Sequence, residues 1–274
     1  MLTKNKFKNM KIGIIGAGLI GKILAKKFSE TGHTVSLADV KGAAKIQAIA
    51  GSIGAKALEM DEVAKNTDIL VIAIPLLRIP ELAQALKGKV EDHVVIIETT
   101  NYWPHRDGKI EEIENGTVNS VWVQQQLGRT VVKAFSNIGA YSLAVEGKPK
   151  NSKDRIAIAV SGDIQEEIDV VMRLVDSAGF DGLDSGSLEE SWRQQACGPA
   201  YCTDLQLEEL VKARKSAQRE SLAEKQKLSF DKMQDLGSEY FDILISGKYP
   251  AGFVDHAVDI NRSINGLPPR KISI

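Results

Sequence analysis

The sequence predicts an α/β protein: a doubly wound, mostly parallel sheet followed by a helical C-terminal extension. Three observations carry this. Short isoleucine- and valine-rich runs alternate with helix-spaced stretches from residue 11 to 100. Runs such as "ILVIAI" are apolar on both faces, as strands are when helices cover both sides of a parallel sheet. The strand signal then stops near residue 185, where charged, helix-favouring sequence begins.

In chain order, strands are expected at "KIGIIG" (11–16), "TVSLAD" (34–39), "DILVIAI" (68–74) and "HVVIIET" (93–99), with a weaker one at Lys56 to Leu58. Between the first two, "LIGKILAKKFSETG" places Ile20, Ile23, Leu24, Lys27 and Phe28 on related faces and stops at Gly32, which predicts an amphipathic helix. The alternation continues through "TVVKAF" (130–135), "RIAIAVSG" (155–162), a helix over 164–179 and a strand at 180–184, so the sheet is expected to go on gaining strands to about 185. The division drawn is therefore 1–185 for the sheet unit and 186–274 for a mainly helical region that covers a pocket, forms a subunit interface, or does both. Within it, residues 204–236 lack proline and glycine until Gly237 and read as one or two long helices. The tail "INGLPPRKISI" is expected to be irregular.

The chain has 274 residues with 35 basic and 36 acidic side chains, a formal charge of -1. Such balance excludes a global pull toward nucleic acid or anionic membrane. A local basic arm at Lys4, Lys6, Lys8 and Lys11 reads as a solvated terminus. No apolar run approaches the roughly 18 residues that span a bilayer, so a soluble, cytoplasmic protein is expected. Cys197 and Cys202 are too far apart in sequence for a Cys-x-x-Cys motif and have no histidine near enough to complete a zinc site, so they are expected to be reduced, with no metal bound.

The stretch "KIGIIGAGLIG" carries the chemistry. Gly16, Gly18 and Gly21 fit Gly-x-Gly-x-x-Gly, with Ala17, Leu19 and Ile20 between them. Each missing side chain has its own use: a tight turn, close approach of backbone to a pyrophosphate, and close packing of helix on strand. The pattern follows a strand and opens a helix, whose amide groups and dipole then face the phosphates. This is the Rossmann dinucleotide-binding arrangement. Asp39, 18 residues beyond Gly21, ends the second strand and favours NAD through a ribose 2′-hydroxyl. Lys41, two residues on, is placed to pair with the 2′-phosphate of NADP, and the choice between the two cofactors stays open.

The chain resembles the coenzyme F420 (deazaflavin)-dependent NADP oxidoreductase family, including its bacterial branch of dinucleotide-binding oxidoreductases. The similar segments are "IGIIGAGLIGKILAKKFSETGHTV", "DILVIAIP", "VVIIETTNYWPHRDG", "VVKAF" and "GFDGLDSGSLEESW", covering roughly 11–195. The resemblance implies NADP, with a deazaflavin or flavin as second substrate. Its phosphate-gripping Asn-Ser-Arg-like stretch falls on Asp39, Val40 and Lys41, where the hydroxyl is lost, the arginine is a lysine and an acid has entered. It also implies that Ile74, Pro75 and Leu76 line the nicotinamide pocket, closed by Thr99, Thr100 and Asn101 after the fifth strand and by Ala134, Phe135 and Asn137 after the sixth. Topology points to the same strand ends, since ligands of open parallel sheets bind outside the carboxyl edge.

In "NYWPHRDG", Tyr102 and Trp103 offer flat faces for a ring, and His105 is the one histidine near the mouth of the pocket, beside Arg106. His33 and His93 precede strands at the opposite sheet end; His33 is expected at the surface. No residue presents itself as a proton relay. The segment 187–201, with Trp192, Arg193 and Tyr201, is a second candidate cover. Leu205, Leu207, Leu210 and Val211 lie close together in sequence and are compatible with a homodimer. The function expected is hydride transfer between a nicotinamide cofactor and a flavin-like or deazaflavin acceptor. Two alternatives stand beside it: a small-carbonyl, imine or hydroxy-acid dehydrogenase of the β-hydroxyacid type, and an NAD(P)-binding regulatory module without catalysis.

Overall fold

The computed structural model describes residues 9–270; Lys4, Lys6 and Lys8 of the basic arm and the last four residues of the tail lie outside them. Its first part runs β1 (Lys11–Ile15), α1 (Leu19–Glu30), β2 (Thr34–Ala38), α2 (Ala43–Ser52), β3 (Lys56–Ala57), α3 (Met60–Val63) and β4 (Ile69–Ile72). It continues through α4 (Ile79–Leu86), β5 (Val95–Glu98), three short helices α5 (Pro104–Asp107), α6 (Glu111–Glu114) and α7 (Asn119–Leu127), and β6 (Val132–Lys133). The six strands form one parallel sheet in the order β3-β2-β1-β4-β5-β6, the doubly wound order with its switch point between β1 and β4.

The two-sided apolar runs have the expected cause. Ile12 and Ile14 of β1 and Ile69 and Val71 of β4 pack on the face that holds Leu24 and Phe28 of α1 and Ile46 of α2. Their neighbours Ile15, Leu70 and Ile72 pack on the other face, against Val63 of α3, Leu82 of α4 and Trp122 of α7. Alternate side chains thus feed two cores, and the sheet leaves neither face to water.

The next segment departs from expectation. After α8 (Ala140–Val145), the strands β7 (Ala157–Val160) and β8 (Asp181–Asp184), joined through α9 (Gln165–Ser177), pair with each other rather than extending the large sheet. A single antiparallel bridge, Lys133 with Ser161, connects the two sheets. The reason is chain direction: β7 meets β6 running the opposite way, so the parallel ladder cannot propagate. A 3₁₀ segment at Leu188–Gln194 then leads to α10 (Leu207–Ser216), α11 (Leu222–Asp235), α12 (Gly237–Ser246) and α13 (Phe253–Ile264). The predicted long helix is thus two helices, broken at 217–221 without proline or glycine, because Ala217 adopts extended backbone there. Residues 265–270 are irregular, as expected.

Leu205 and Leu210 pack internally with Ala157, Ala159 and Ala213, so half of the apolar cluster read as an interface joins α10 to β7. His33 is buried, not at the surface: it accepts the Met10 amide on Nδ1 (3.3 Å) and meets Phe28 edge-on. Burial lowers its pKa. Cys197 and Cys202 are free and buried. Among the described residues, no helix is long and apolar enough to cross a membrane, and no cluster of three or more His, Cys, Asp or Glu is arranged to hold a metal ion.

Candidate dinucleotide and acceptor site

At the carboxyl end of β1 the backbone turns sharply through Gly16, whose φ of 110° suits glycine. A Cβ on Gly21 would overlap the Gly16 carbonyl oxygen, so α1 and β1 touch only because Gly21 has none. Gly18 differs from both. Its backbone is extended, nothing lies within 4 Å of where a Cβ would be, and as N-cap of α1 it brings no side chain to the first-turn amide groups. The helix therefore presents uncapped donors beside open space, which is what a diphosphate requires.

Asp39 closes the turn from the neighbouring strand. Its Oδ2 accepts the Ala17 amide (2.9 Å) and its Oδ1 the Lys41 amide (3.1 Å). The carboxylate is thus fixed at the rim of a 640 Å³ cavity bounded by Gly16, Ala17, Gly18, Val40, Lys41 and Pro75. Val40 and Lys41 are exposed at its mouth. Two charged residues there were not foreseen: Glu59, which accepts the Ala43 amide, and Arg78, which is paired with Glu81 at 2.6 Å. Arg78 was detectable in principle, lying just past the β4 carboxyl end, but no motif marks it.

On the other side of Gly18 and Ile74 a second cavity, of about 490 Å³, continues over β4, β5 and β6. Leu19, Ile20, Ile74, Pro75, Thr99, Thr100, Asn101, Trp103, His105 and Phe135 reach its wall, as anticipated. Leu76 and Ala134 do not: both are fully buried in the cores beneath. Asn137 also faces away, its side chain bonding the Ala200 carbonyl and the Ala159 amide. Tyr102 turns its ring into the core, with its hydroxyl donating to Glu114 (2.5 Å) and accepting from the Ile110 amide. Strand alternation explains these four, since successive residues point to opposite sides. Tyr201 reaches the cavity, while Trp192 lies elsewhere with Arg193 over its ring.

The far wall belongs to the C-terminal helices: Phe230 and Met233 of α11, Tyr240, Phe241 and Leu244 of α12, and Ala257, Ile260 and Asn261 of α13. Sequence reading expected a cover but named none of these residues, for each enters through packing with α8, where Tyr141 joins Tyr240 and Phe253 in one apolar cluster. Three buried polar atoms on the cavity lining have no partner within the chain: Asn101 Oδ1, Ser136 Oγ and Asn261 Oδ1. Phe135 and Cys202 line it in left-handed backbone conformations, a strain tolerated where surrounding packing holds it.

Beneath Thr100 lies a fully buried ion pair. Lys133 Nζ donates to Glu98 Oε1 (3.0 Å) and to the Thr100 carbonyl (2.9 Å). The remaining capacity of Glu98 is met by the Thr100 amide and hydroxyl and by the Ser120 hydroxyl. This network ties the 99–101 turn to β6. Above it, His105 stands between Trp103 and Phe230, 4.3 Å from the latter ring. Partial desolvation, then the Arg106 charge, lowers the His105 pKa.

Residues 11–102 match the family described as NADP oxidoreductase, coenzyme F420-dependent. That segment belongs to the family. The Escherichia coli K12 protein YjhV is 46% identical over 65 residues, which are 24% of this chain; the chain thus spans about half, 47%, of that curated relative. Among solved structures, the Sinorhizobium meliloti protein SMa0349 superposes with a TM-score of 0.63 at 24% identity, over 72% of this chain and 95% of that one. A proposed F420-dependent NADP reductase of Arthrobacter sp. FB24 follows at 0.55 and 19%, over 65% and 85%. Glycerol-3-phosphate dehydrogenase of Coxiella burnetii gives 0.55 at 16%, over 88% and 66%. These likenesses establish a dinucleotide-binding fold.

Proposed function

We propose that the protein is an NAD(P)-dependent oxidoreductase that passes hydride between a nicotinamide cofactor and a planar, flavin-type or deazaflavin acceptor. The observation that carries this reading is the aromatic cavity adjoining the glycine turn, where Trp103, Tyr141, Tyr201, Phe230, Tyr240 and Phe241 surround open space. Flat rings stack on such faces, and little else needs so many. The residues fit a dinucleotide: α1 offers uncapped amides for the diphosphate, Asp39 stands ready for ribose hydroxyls, and the unpartnered Asn101 and Ser136 suit a carboxamide. When bound, the nicotinamide supplies the hydride. The chain's part is to orient the two rings and exclude water, a contribution that needs no proton relay.

Asp39, Glu59 and Glu81 around the 640 Å³ cavity put three carboxylates near a ribose 2′ position, against Lys41 and an already paired Arg78. This favours NAD(H) over NADP(H), since a 2′-phosphate would be repelled. The lowered His105 pKa leaves its ring neutral at pH 7, with no imidazolium proton for a carbonyl oxygen, which favours a ring acceptor over a small carbonyl. An open acceptor cavity also speaks for turnover rather than a purely regulatory module. A cytoplasmic location and a homodimer complete the proposal. The test is stopped-flow oxidation of NADH and NADPH with flavins, a deazaflavin and small carbonyls. Oxidation by a ring acceptor, faster with NADH, is the expected result; reaction with small carbonyls alone would overturn the acceptor, and none at all the enzyme.

A further inference from the structure

The acceptor cavity has a neighbour. The stacked His105 and Phe230 form a wall shared with another cavity, of about 730 Å³, lying between the 102–119 segment and α11. The two linings differ in chemistry. Where the first is aromatic, the second presents Thr117, Asn119, Gln195, Arg219, Gln226 and Lys227. Gln195 is only 8% exposed, and its amide Nε2 has no hydrogen-bond partner within the chain. A buried amide donor left in this way is costly unless something in the cavity receives it. Charge does not dominate: Arg219 and Lys227 are balanced by Glu114 and Glu220, and Glu114 is already engaged by the Tyr102 hydroxyl.

We infer that this second cavity holds the uncharged, hydroxylated side chain of the acceptor whose ring occupies the first, the molecule passing along the edge of the His105–Phe230 stack. The inference rests on the hydride-acceptor reading above and deepens it: the acceptor is bipartite, a planar ring bearing a polyol. Its hydroxyl oxygens accept from Gln195 Nε2, and its hydroxyl protons reach amide and hydroxyl oxygens on the same lining. A small carbonyl substrate would leave this space without a use.

The test measures binding, by titration calorimetry in saturating NAD⁺, of 5-deazariboflavin and of its 10-methyl analogue, which keeps the ring and lacks the chain. In the native protein the polyol-bearing ligand is expected to bind about tenfold tighter. Gln195→Leu should level the two. So should Ala223→Trp, which fills the cavity from an exposed position on α11 and leaves the core untouched. Both variants should bind NAD⁺ and the ring-only ligand as the native protein does. Equal affinities in the native protein, or a preference that survives Ala223→Trp, overturn the inference while the hydride-acceptor reading stands. Failure of both ring ligands to bind beside normal NAD⁺ binding defeats that reading and the inference with it.

Discussion

The two walls of the long cleft are built by different means. The wall at the glycine turn is backbone: what matters there is where amide groups point and how closely the chain can approach. The wall contributed by α11, α12 and α13 is side chain, and what matters is which faces remain open after the helices dock. Backbone recognition demands glycine at set spacing and leaves a readable mark, whereas a side-chain wall can be assembled from many residues and leaves none. The glycine turn itself contains the contrast in miniature, since Gly16 and Gly21 serve the fold while Gly18 leaves room for the ligand.

The largest effects expected would sharpen that distinction. Gly21→Ala forces a Cβ into the Gly16 carbonyl oxygen and should cost about 3 kcal/mol or more of stability in urea unfolding. Gly18→Leu should leave unfolding unchanged and weaken dinucleotide binding by about 100-fold in calorimetry. Equal loss of stability in both would break the comparison. Of similar size, Lys133→Met strands the buried Glu98 carboxylate and should cost about 3–5 kcal/mol, while adding Glu98→Gln should recover much of it.

Phe230→Ala on the opposite wall is expected to weaken a ring acceptor by about tenfold with NADH affinity unchanged. If NADH affinity fell equally, the helical wall would belong to the cofactor instead. Lys41→Ala should be smaller still: no change for NADH and no more than about tenfold for NADPH. The smallest effect concerns the far end of the sheet. The folded-state pKa of His33 is depressed by burial, so its contribution is whole above the unfolded value of about 6.5 and is lost as pH falls toward and through the folded value. Protonating Nδ1 would also remove the acceptor of the Met10 amide. Melting temperature should therefore drop between pH 7 and 5 more in the native protein than in His33→Phe.

Much of the first half was legible. Strands at 11–16, 34–39, 68–74 and 93–99 fall where expected because both faces of a central parallel strand must be apolar. Errors arose where a local pattern could not report direction or side. "RIAIAVSG" reads as another strand of the same sheet, yet β7 approaches β6 from the opposite direction. Leu76, Tyr102, Ala134 and Asn137 sit at the correct strand ends but point into the protein. His33 looked exposed because a polar residue before a strand usually is, and only the packing of Phe28 and Met10 around it made it internal.

By itself the sequence determined the alternating strand and helix framework, the glycine turn and the acid after the second strand, since each depends on properties of a few neighbouring residues: periodicity, missing side chains and a fixed offset. Only the tertiary structure decided that Glu98 and Lys133 meet beneath the cleft, that α11–α13 close it with aromatic rings, and that a polar chamber lies behind His105 and Phe230. Those features join residues tens to more than a hundred positions apart. Such contacts follow from how whole elements pack, and no short window of sequence records that packing.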